Sequence, residues 1–350
     1  MKKFLIVAHY SRFLVQFEMN NVKILQEMGY EVHYATNYEQ EDMYADAPQR
    51  IREAGVILHQ IDFVRSPYRI AENIKAYRQL ISLMEKEKFA GVHCHTPMAG
   101  ALARLAANKT KTKPVLYTAH GFHFYKGCPI QNRLIYETAE RFLARYTDAL
   151  ITINGEDYQA AKAFNLRGKA YKIPGAGVDT ELIQKLDIDC VKKRKELGIP
   201  ENAFVLVSVG ELNDNKDHQT AIRAFAKTNI DNSYYVLCGE GEKKEELKIL
   251  TQKLNIDDRV IFAGFRNDIG EILRSSNLFV FPSKREGLGL AAIEGLAAGL
   301  PVIASRNRGS LEYYQKDVVD LFEPQDVEEL CGQIISWKSI LSTKVIMIKE

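Results

Sequence analysis

Short apolar runs alternate with amphipathic helical stretches along nearly the whole chain, and this alternation constrains the fold more than any other feature. Residues 4–8, 31–35, 91–94, 115–119 and 149–153 are apolar runs of strand length. Between them, residues 16–28, 69–86, 98–107 and 130–145 read as helices, the first stopped by Gly29. Strands that alternate with helices must pair through crossovers, which builds a parallel sheet covered on both faces. The pattern breaks over 174–203, where Pro174, Gly175 and Gly177 punctuate the chain and a short charged helix over 192–198 precedes Ile199-Pro200. It then restarts, with strands expected at 204–209, 234–238, 260–262, 278–281 and 302–304 and a helix over 290–298. The expectation is an α/β protein of two Rossmann-like, doubly wound parallel-sheet units, 1–175 and 204–350, joined by a linker region at 176–203. A length of 350 residues suits two such units.

Composition narrows the class. Hydrophobic residues make up 46% and charged residues 26%, which excludes disordered and collagen-like chains. The net charge of +2 gives no sign of a nucleic-acid partner. Its distribution is uneven: residues 1–178 carry 24 Lys+Arg against 17 Asp+Glu, and the rest 23 against 28. The first half is thus net +7 and the second −5, which suggests an anionic partner for the first. Five cysteines, an odd number without CxxC spacing, argue against a disulfide scaffold or zinc site and fit a reducing compartment. The N-terminus starts like a signal peptide, but its apolar run stops at His9 and Arg12 and reads as a first buried strand. No stretch approaches the roughly 18 apolar residues of a membrane span.

Ligands of open parallel sheets sit beyond the carboxyl ends of the strands, so the turns there hold the candidate site. After 278–281 come Glu286, Gly287, Leu288, Gly289 and Leu290, a glycine-containing turn into a helix whose free amides attract phosphate or hydroxyl oxygens. Glu294 follows eight residues after Glu286, expected two turns into the helix and on nearly the same side. Lys216, in the turn after 204–209, is placed to neutralise a phosphate. Gly239-Glu240-Gly241 lacks the third small residue of a dinucleotide fingerprint, which argues against a nicotinamide enzyme. In the first unit His93, His95, His120 and His123 follow strands. The alternation His93-Cys94-His95 is expected to point side chains to opposite faces, and no carboxylate lies between Glu87 and Glu137. A metal site is therefore not expected, and His120 reads as an imidazole facing a cleft. That acid-free stretch holds Lys88, Arg104, Lys109, Lys111, Lys113, Lys126 and Arg133 around Phe122, Phe124 and Tyr125, a composition suited to an anionic, partly apolar partner.

These motifs resemble the family-4 retaining glycosyltransferases of GT-B fold. The resemblance spans nearly the whole chain. It is carried most specifically by Glu286 and Glu294 within PSKREGLGLAAIEGLAAGLPVIAS, and further by SVGELNDNKDH, VLCGEGE, VIFAGF, HCHTPMAGALARLAA and YTAHGFHFYKG. The last two are similar to the branch that builds bacterial capsular, exopolysaccharide and O-antigen units. The resemblance implies a nucleotide-sugar donor, UDP above all, and no cofactor or metal. It implies that Lys216 binds the donor diphosphate and Glu294 the ribose. Glu286, with the amides of Gly287 to Leu290, would hold the donor sugar, with His120 at its reacting face. Gly264, Phe265 and Arg266 would read the base. The acceptor would be a glycan or lipid-diphosphate-linked sugar, met by a first unit lying peripherally on the anionic inner face of the cell membrane. Arg12, Lys109, Lys111, Lys113, Phe122, Phe124, Tyr125 and Lys126 would face the acceptor and membrane.

Two departures stand out. Glu211 replaces an arginine carried by many relatives, which leaves Arg266 or Arg285 to supply a second cation. The final helix of this fold usually crosses back to the first domain, yet the chain ends in KVIMIKE, which reads as a strand. A non-hydrolysing UDP-sugar 2-epimerase, or a non-catalytic member of a glycan-assembly complex, would share the architecture.

Overall fold

The computed structural model describes residues 1–40 and 45–349, the last six by their backbone. The chain divides into two compact units, 1–177 and 178–350. Residues 178–203 form two short helices, Thr180–Gln184 and Cys190–Glu196, and fall within the second unit.

The first unit holds strands β1 (Lys2–Val7), β2 (Tyr30–Thr36), β3 (Ile57–Gln60), β4 (Val92–His95), β5 (Val115–Ala119), β6 (Ala149–Thr152) and β7 (Lys169–Lys172). All pair in parallel, in the order β3-β2-β1-β4-β5-β6-β7. The second holds β8 (Phe204–Val209), β9 (Ser233–Cys238), β10 (Val260–Gly264), β11 (Leu278–Phe281), β12 (Val302–Ser305) and β13 (Val319–Phe322), in the parallel order β10-β9-β8-β11-β12-β13. In each sheet the winding reverses beside the first strand, between β1 and β4 and between β8 and β11. Loops leave that point in opposite directions, and the crevice they open is where such sheets bind ligands.

The apolar runs are continuous because both faces are covered. Leu206, Tyr235, Leu237 and Val280 pack on one side of the second sheet, and Val205, Val207, Val236 and Phe281 on the other. Successive strand residues point to opposite faces, so a sheet buried on both sides needs apolar residues at every position. In the first sheet Leu5 and Val7 face one core while Ile6 and Ala8 face the other.

The chain's end departs from expectation. Val327–Lys349 is a single helix, not a strand-like tail. Its Leu330, Ile334 and Trp337 pack into the second unit's core, and the Trp337 indole donates to Asp320 Oδ2 at 2.7 Å. The β-branched residues of the tail suggest a strand locally, and continuation from a docked helix overrides that preference. Among the described residues no helix is long and apolar enough to cross a membrane.

Candidate active site

In the second unit the loops after β8 and β11 are tied together at the switch point. Asn215 Nδ2 donates to the Arg285 carbonyl at 2.9 Å, and the Lys284 amide donates to the Asn215 carbonyl at 2.8 Å. Asn213 Oδ1 accepts from the amides of Asn215 and Lys216, fixing the turn that presents Lys216. The Lys216 ammonium stands 2.6 Å from Glu286 Oε1 and 4.9 Å from the centre of the Phe281 ring. The turn after β9 closes against this loop. Gly239 has φ +147°, and a Cβ there would lie 1.9 Å from the Gly210 carbonyl oxygen, so only glycine fits.

Glu286 and Glu294 do not share a helix face. The helix is Leu290–Ala297, so Glu286 lies in the preceding loop and Glu294 just over one turn inside the helix. Gly289 takes φ +87° to turn the chain into that helix, against the Phe281 ring, where a Cβ would approach to 2.8 Å. Burial raises the Glu294 carboxyl above its ordinary range, and among the described residues no hydrogen-bond or ion-pair partner meets it. Two further residues enter from the loop after β12. Arg308 Nε lies 3.4 Å from the Glu286 carbonyl, and the buried Tyr313 hydroxyl has no partner among the described residues. Burial, reinforced by the Glu286 charge, raises the Tyr313 pKa. Tyr313 was not foreseen, because nothing in RGSLEYY marks the side chain that turns inward.

Gly264 ends β10 at φ +71°, and its carbonyl accepts from the Gly239 amide at 2.8 Å. Phe265 beside it is 39% exposed. Arg266 is engaged by acids, with Nε donating to Asp268 Oδ1 at 2.7 Å and a terminal nitrogen 2.5 Å from Glu196 Oε1. It is therefore not a free second cation in place of the exposed Glu211.

The first unit's switch point gathers a cluster that spacing did not suggest. Cys94 points into one core, but His93 and His95 share the other face, with ring centres 4.1 Å apart. The expectation of opposite faces fails because residues two apart in a strand point the same way. His120 reaches the same place from the end of β5, with its Nε2 3.2 Å from His95 Nδ1. The missing carboxylate comes from far upstream: Glu18 Oε2 lies 3.6 Å from His95 Nε2. Glu18 ends a π-helical turn, Leu14–Glu18, whose extra residue carries this side chain into the interior. Burial lowers the His120 pKa to about 4 and raises that of Glu18 to about 7. At the same sheet end Tyr10, Arg65, Thr96, His123 and Tyr136 line a hollow of about 240 Å³.

The basic stretch is not one face. Lys109, Lys111 and Lys113 are exposed before β5, whereas Tyr125 and the exposed Lys126 follow its other end. Arg104 is fully buried, with both terminal nitrogens on the Glu140 carboxylate at 2.8 and 3.2 Å. Phe122 and Phe124 are core residues stacked 4.7 Å apart, buried because the chain after His120 turns back under the helix Gly155–Lys162. Arg12 lies over the Tyr10 ring at 5.0 Å. Ile130, Leu134 and Ile135, which no sequence pattern singled out, are at least half exposed on the helical run that follows Lys126.

Two successive parallel units of this order make the fold that of a GT-B glycosyltransferase. The structure of Anabaena HepE in complex with UDP-glucose superposes with a TM-score of 0.79, over 98% of this chain and 91% of that one, at 19% identity. The chain belongs to the group 1 glycosyltransferases: residues 191–349 match the family described as "Glycosyl transferases group 1" and residues 4–154 "Glycosyl transferase 4-like". It is 40% identical over 318 residues to the Bacillus subtilis (strain 168) protein EpsD, covering 89% of this chain and 80% of that one. It is 34% identical over 278 residues to an Escherichia coli UDP-Gal:alpha-D-GlcNAc-diphosphoundecaprenol alpha-1,3-galactosyltransferase, covering 74% and 71%. The enzyme is a glycosyltransferase, and neither the epimerase nor the non-catalytic reading is needed.

Proposed function

We propose that the enzyme moves a sugar from a UDP-sugar to a lipid-diphosphate-linked glycan, keeping the anomeric configuration and using no metal. The observation that carries this reading is the set of groups at the ends of β8 and β11: the Lys216 ammonium, the Glu286 carboxylate, the start of the helix Leu290–Ala297, and Glu294, which meets no partner among the described residues. A cation and the amide end of a helix suit a diphosphate that gains charge as it leaves. A half-buried carboxylate that meets no partner among the described residues suits the two ribose hydroxyls, and Glu286 suits hydroxyls of the sugar. The nucleotide and acceptor class are those in the name of the Escherichia coli relative. Glu294→Ala should weaken UDP binding by about 1.5–3 kcal/mol, the worth of charged hydrogen bonds. Calorimetry with UDP measures this, and unchanged affinity in the folded variant would remove the ribose assignment.

A lipid-linked acceptor requires work at a membrane surface. The exposed Ile130, Leu134 and Ile135 beside Lys126 and Arg133 supply an apolar strip with flanking cations, the combination that seats a protein in a headgroup layer. Ile130→Asp with Leu134→Asp should reduce co-sedimentation with phosphatidylglycerol vesicles several-fold at low salt. Reversal of Lys109, Lys111 and Lys113 to Glu, at the opposite sheet end, should change it much less. The opposite ranking would move the membrane face to that end.

A further inference from the structure

We propose that Glu18, His95 and His120 form a proton relay that takes the acceptor hydroxyl's proton at His120 Nδ1 and delivers it to the Glu18 carboxylate. The proposal rests on the transferase reading above and adds residues that reading does not use. Three observations support it.

The first is order. His120 Nε2 meets His95 Nδ1 at 3.2 Å, and the other nitrogen of His95 faces Glu18 Oε2 at 3.6 Å. The atoms thus lie in sequence from a half-buried ring to a buried carboxylate. The longer step exceeds a hydrogen bond, so transfer across it requires a small rotation of Glu18 or one bridging water. His95 Nε2 is buried and has no hydrogen-bond partner among the described residues, with Glu18 the acid that faces it. His120 Nδ1 has no hydrogen-bond partner among the described residues either, and His120 keeps part of its surface open.

The second is cost. Glu18 is 3% exposed, accepts one hydrogen bond from Asn21 Nδ2 at 2.7 Å, and has no lysine or arginine paired with it among the described residues. Burying a carboxyl in this way destabilises a fold, and an apolar residue would fill the space more favourably. Burial raises its affinity for a proton, which suits the end of a relay. The titratable groups acting on the cluster are its own members and His93, whose Nε2 is bound to Thr118 Oγ1 at 2.8 Å. Phe13 and Phe17 cover the rings from the helical stretch after β1.

The third is place. Glu18 follows β1 and His95 ends β4, so the cluster occupies the switch point of the first sheet, the position where the second sheet holds Lys216 and Glu286. The same three residues could be read as metal ligands, since one ligating atom from each lies within 4.8 Å of the others. A metal would take His95 through one nitrogen, whereas here its two nitrogens face different partners, His120 Nε2 at 3.2 Å and Glu18 Oε2 at 3.6 Å. The hydrogen-bond order fits the geometry better.

In the step, the acceptor oxygen bonds to the anomeric carbon as the bond from that carbon to the diphosphate oxygen breaks, with its electron pair leaving on the diphosphate. The acceptor proton passes to His120 Nδ1. The proton on His120 Nε2 moves to His95 Nδ1, and that on His95 Nε2 moves to Glu18. Both histidines must therefore rest as the neutral Nε2–H tautomer.

Nitrogen-15 NMR of the histidine-labelled full chain reads the tautomers directly, whether or not a transfer assay has been established. Nε2–H signals for His95 and His120 are expected; an Nδ1–H tautomer at His95 overturns the relay. Glu18→Gln can still accept from His95 but cannot take the proton. It should lower kcat about 100-fold, with UDP affinity and the His95 tautomer unchanged. Full kcat in that variant overturns the proposal, as does loss of parent activity on chelation with recovery in zinc. Failure of the parent to transfer from any UDP-sugar would instead count against the proposed function.

Discussion

Lys216→Ala is expected to slow sugar transfer by about 100- to 1000-fold, the effect of removing a positioned charge from a developing anion. The loss should exceed that of one hydrogen bond because two things happen together. The cation is gone, and the Glu286 carboxylate that it held at 2.6 Å is left to repel the incoming diphosphate. In the parent the ammonium has three donors, so it can keep Glu286 and still meet a phosphate oxygen. Adding Glu286→Gln to Lys216→Ala should therefore recover part of the binding of UDP, although not the rate. Steady-state kinetics with a UDP-sugar and a lipid-linked acceptor, paired with UDP calorimetry, measure both. A fall of less than tenfold would sink the assignment. So would a parent rate that a chelator abolishes and magnesium or manganese restores, since a metal would then carry the diphosphate charge.

The largest stability effect is expected at Arg104. Arg104→Met should destabilise the first unit by about 3–5 kcal/mol, because it leaves the Glu140 carboxylate buried without its cation. The guanidinium also donates from Nε to the Gly100 carbonyl at 3.1 Å and lies 3.9 Å from the centre of the Tyr117 ring. Tyr117 in turn contacts Glu140 through its hydroxyl at 3.3 Å, so one substitution disturbs a joined set of polar groups. The double replacement Arg104→Met with Glu140→Leu should regain most of the loss, since it removes both buried charges and keeps the volume. Urea unfolding followed by circular dichroism compares the three chains. A double variant no more stable than Arg104→Met alone would show that packing by the arginine stem, not charge burial, holds this region.

Much of the architecture was legible from hydrophobic periodicity. The strands 115–119, 204–209 and 278–281 lie where their apolar runs place them. Shorter or more polar strands escaped: β3, Ile57–Gln60, and β7, Lys169–Lys172, sit at the edge of the first sheet, where one side of the strand has no neighbour and the apolar signal fades. The helices His218–Thr228 and Lys244–Lys253 follow glycine-rich and charged turns that read as loop. The two π-helical turns, Leu14–Glu18 and Arg133–Glu137, leave no periodic mark because each adds one residue to an otherwise helical pattern.

The candidate donor site was readable because its parts are local. Lys216, Glu286 and Glu294 each lie within a few residues of a strand end, and a parallel sheet brings all its strand ends to one edge. Only their mutual arrangement needed the fold: Glu286 proves to be a loop residue paired with Lys216, and Tyr313 joins from a third loop. The Glu18–His95–His120 cluster was not readable. It is assembled from three segments far apart in sequence, by β1 pairing with β4 and β4 with β5. Likewise Arg104 and Phe124 carry the composition of a surface patch, yet the helix and sheet over them put both in the interior. Local periodicity determines which segments are strands and helices, because it depends on neighbours a few residues away. Which charges meet, and which side chains lose their water, was decided by pairing across the sheet, because that brings together residues whose separation along the chain carries no signal.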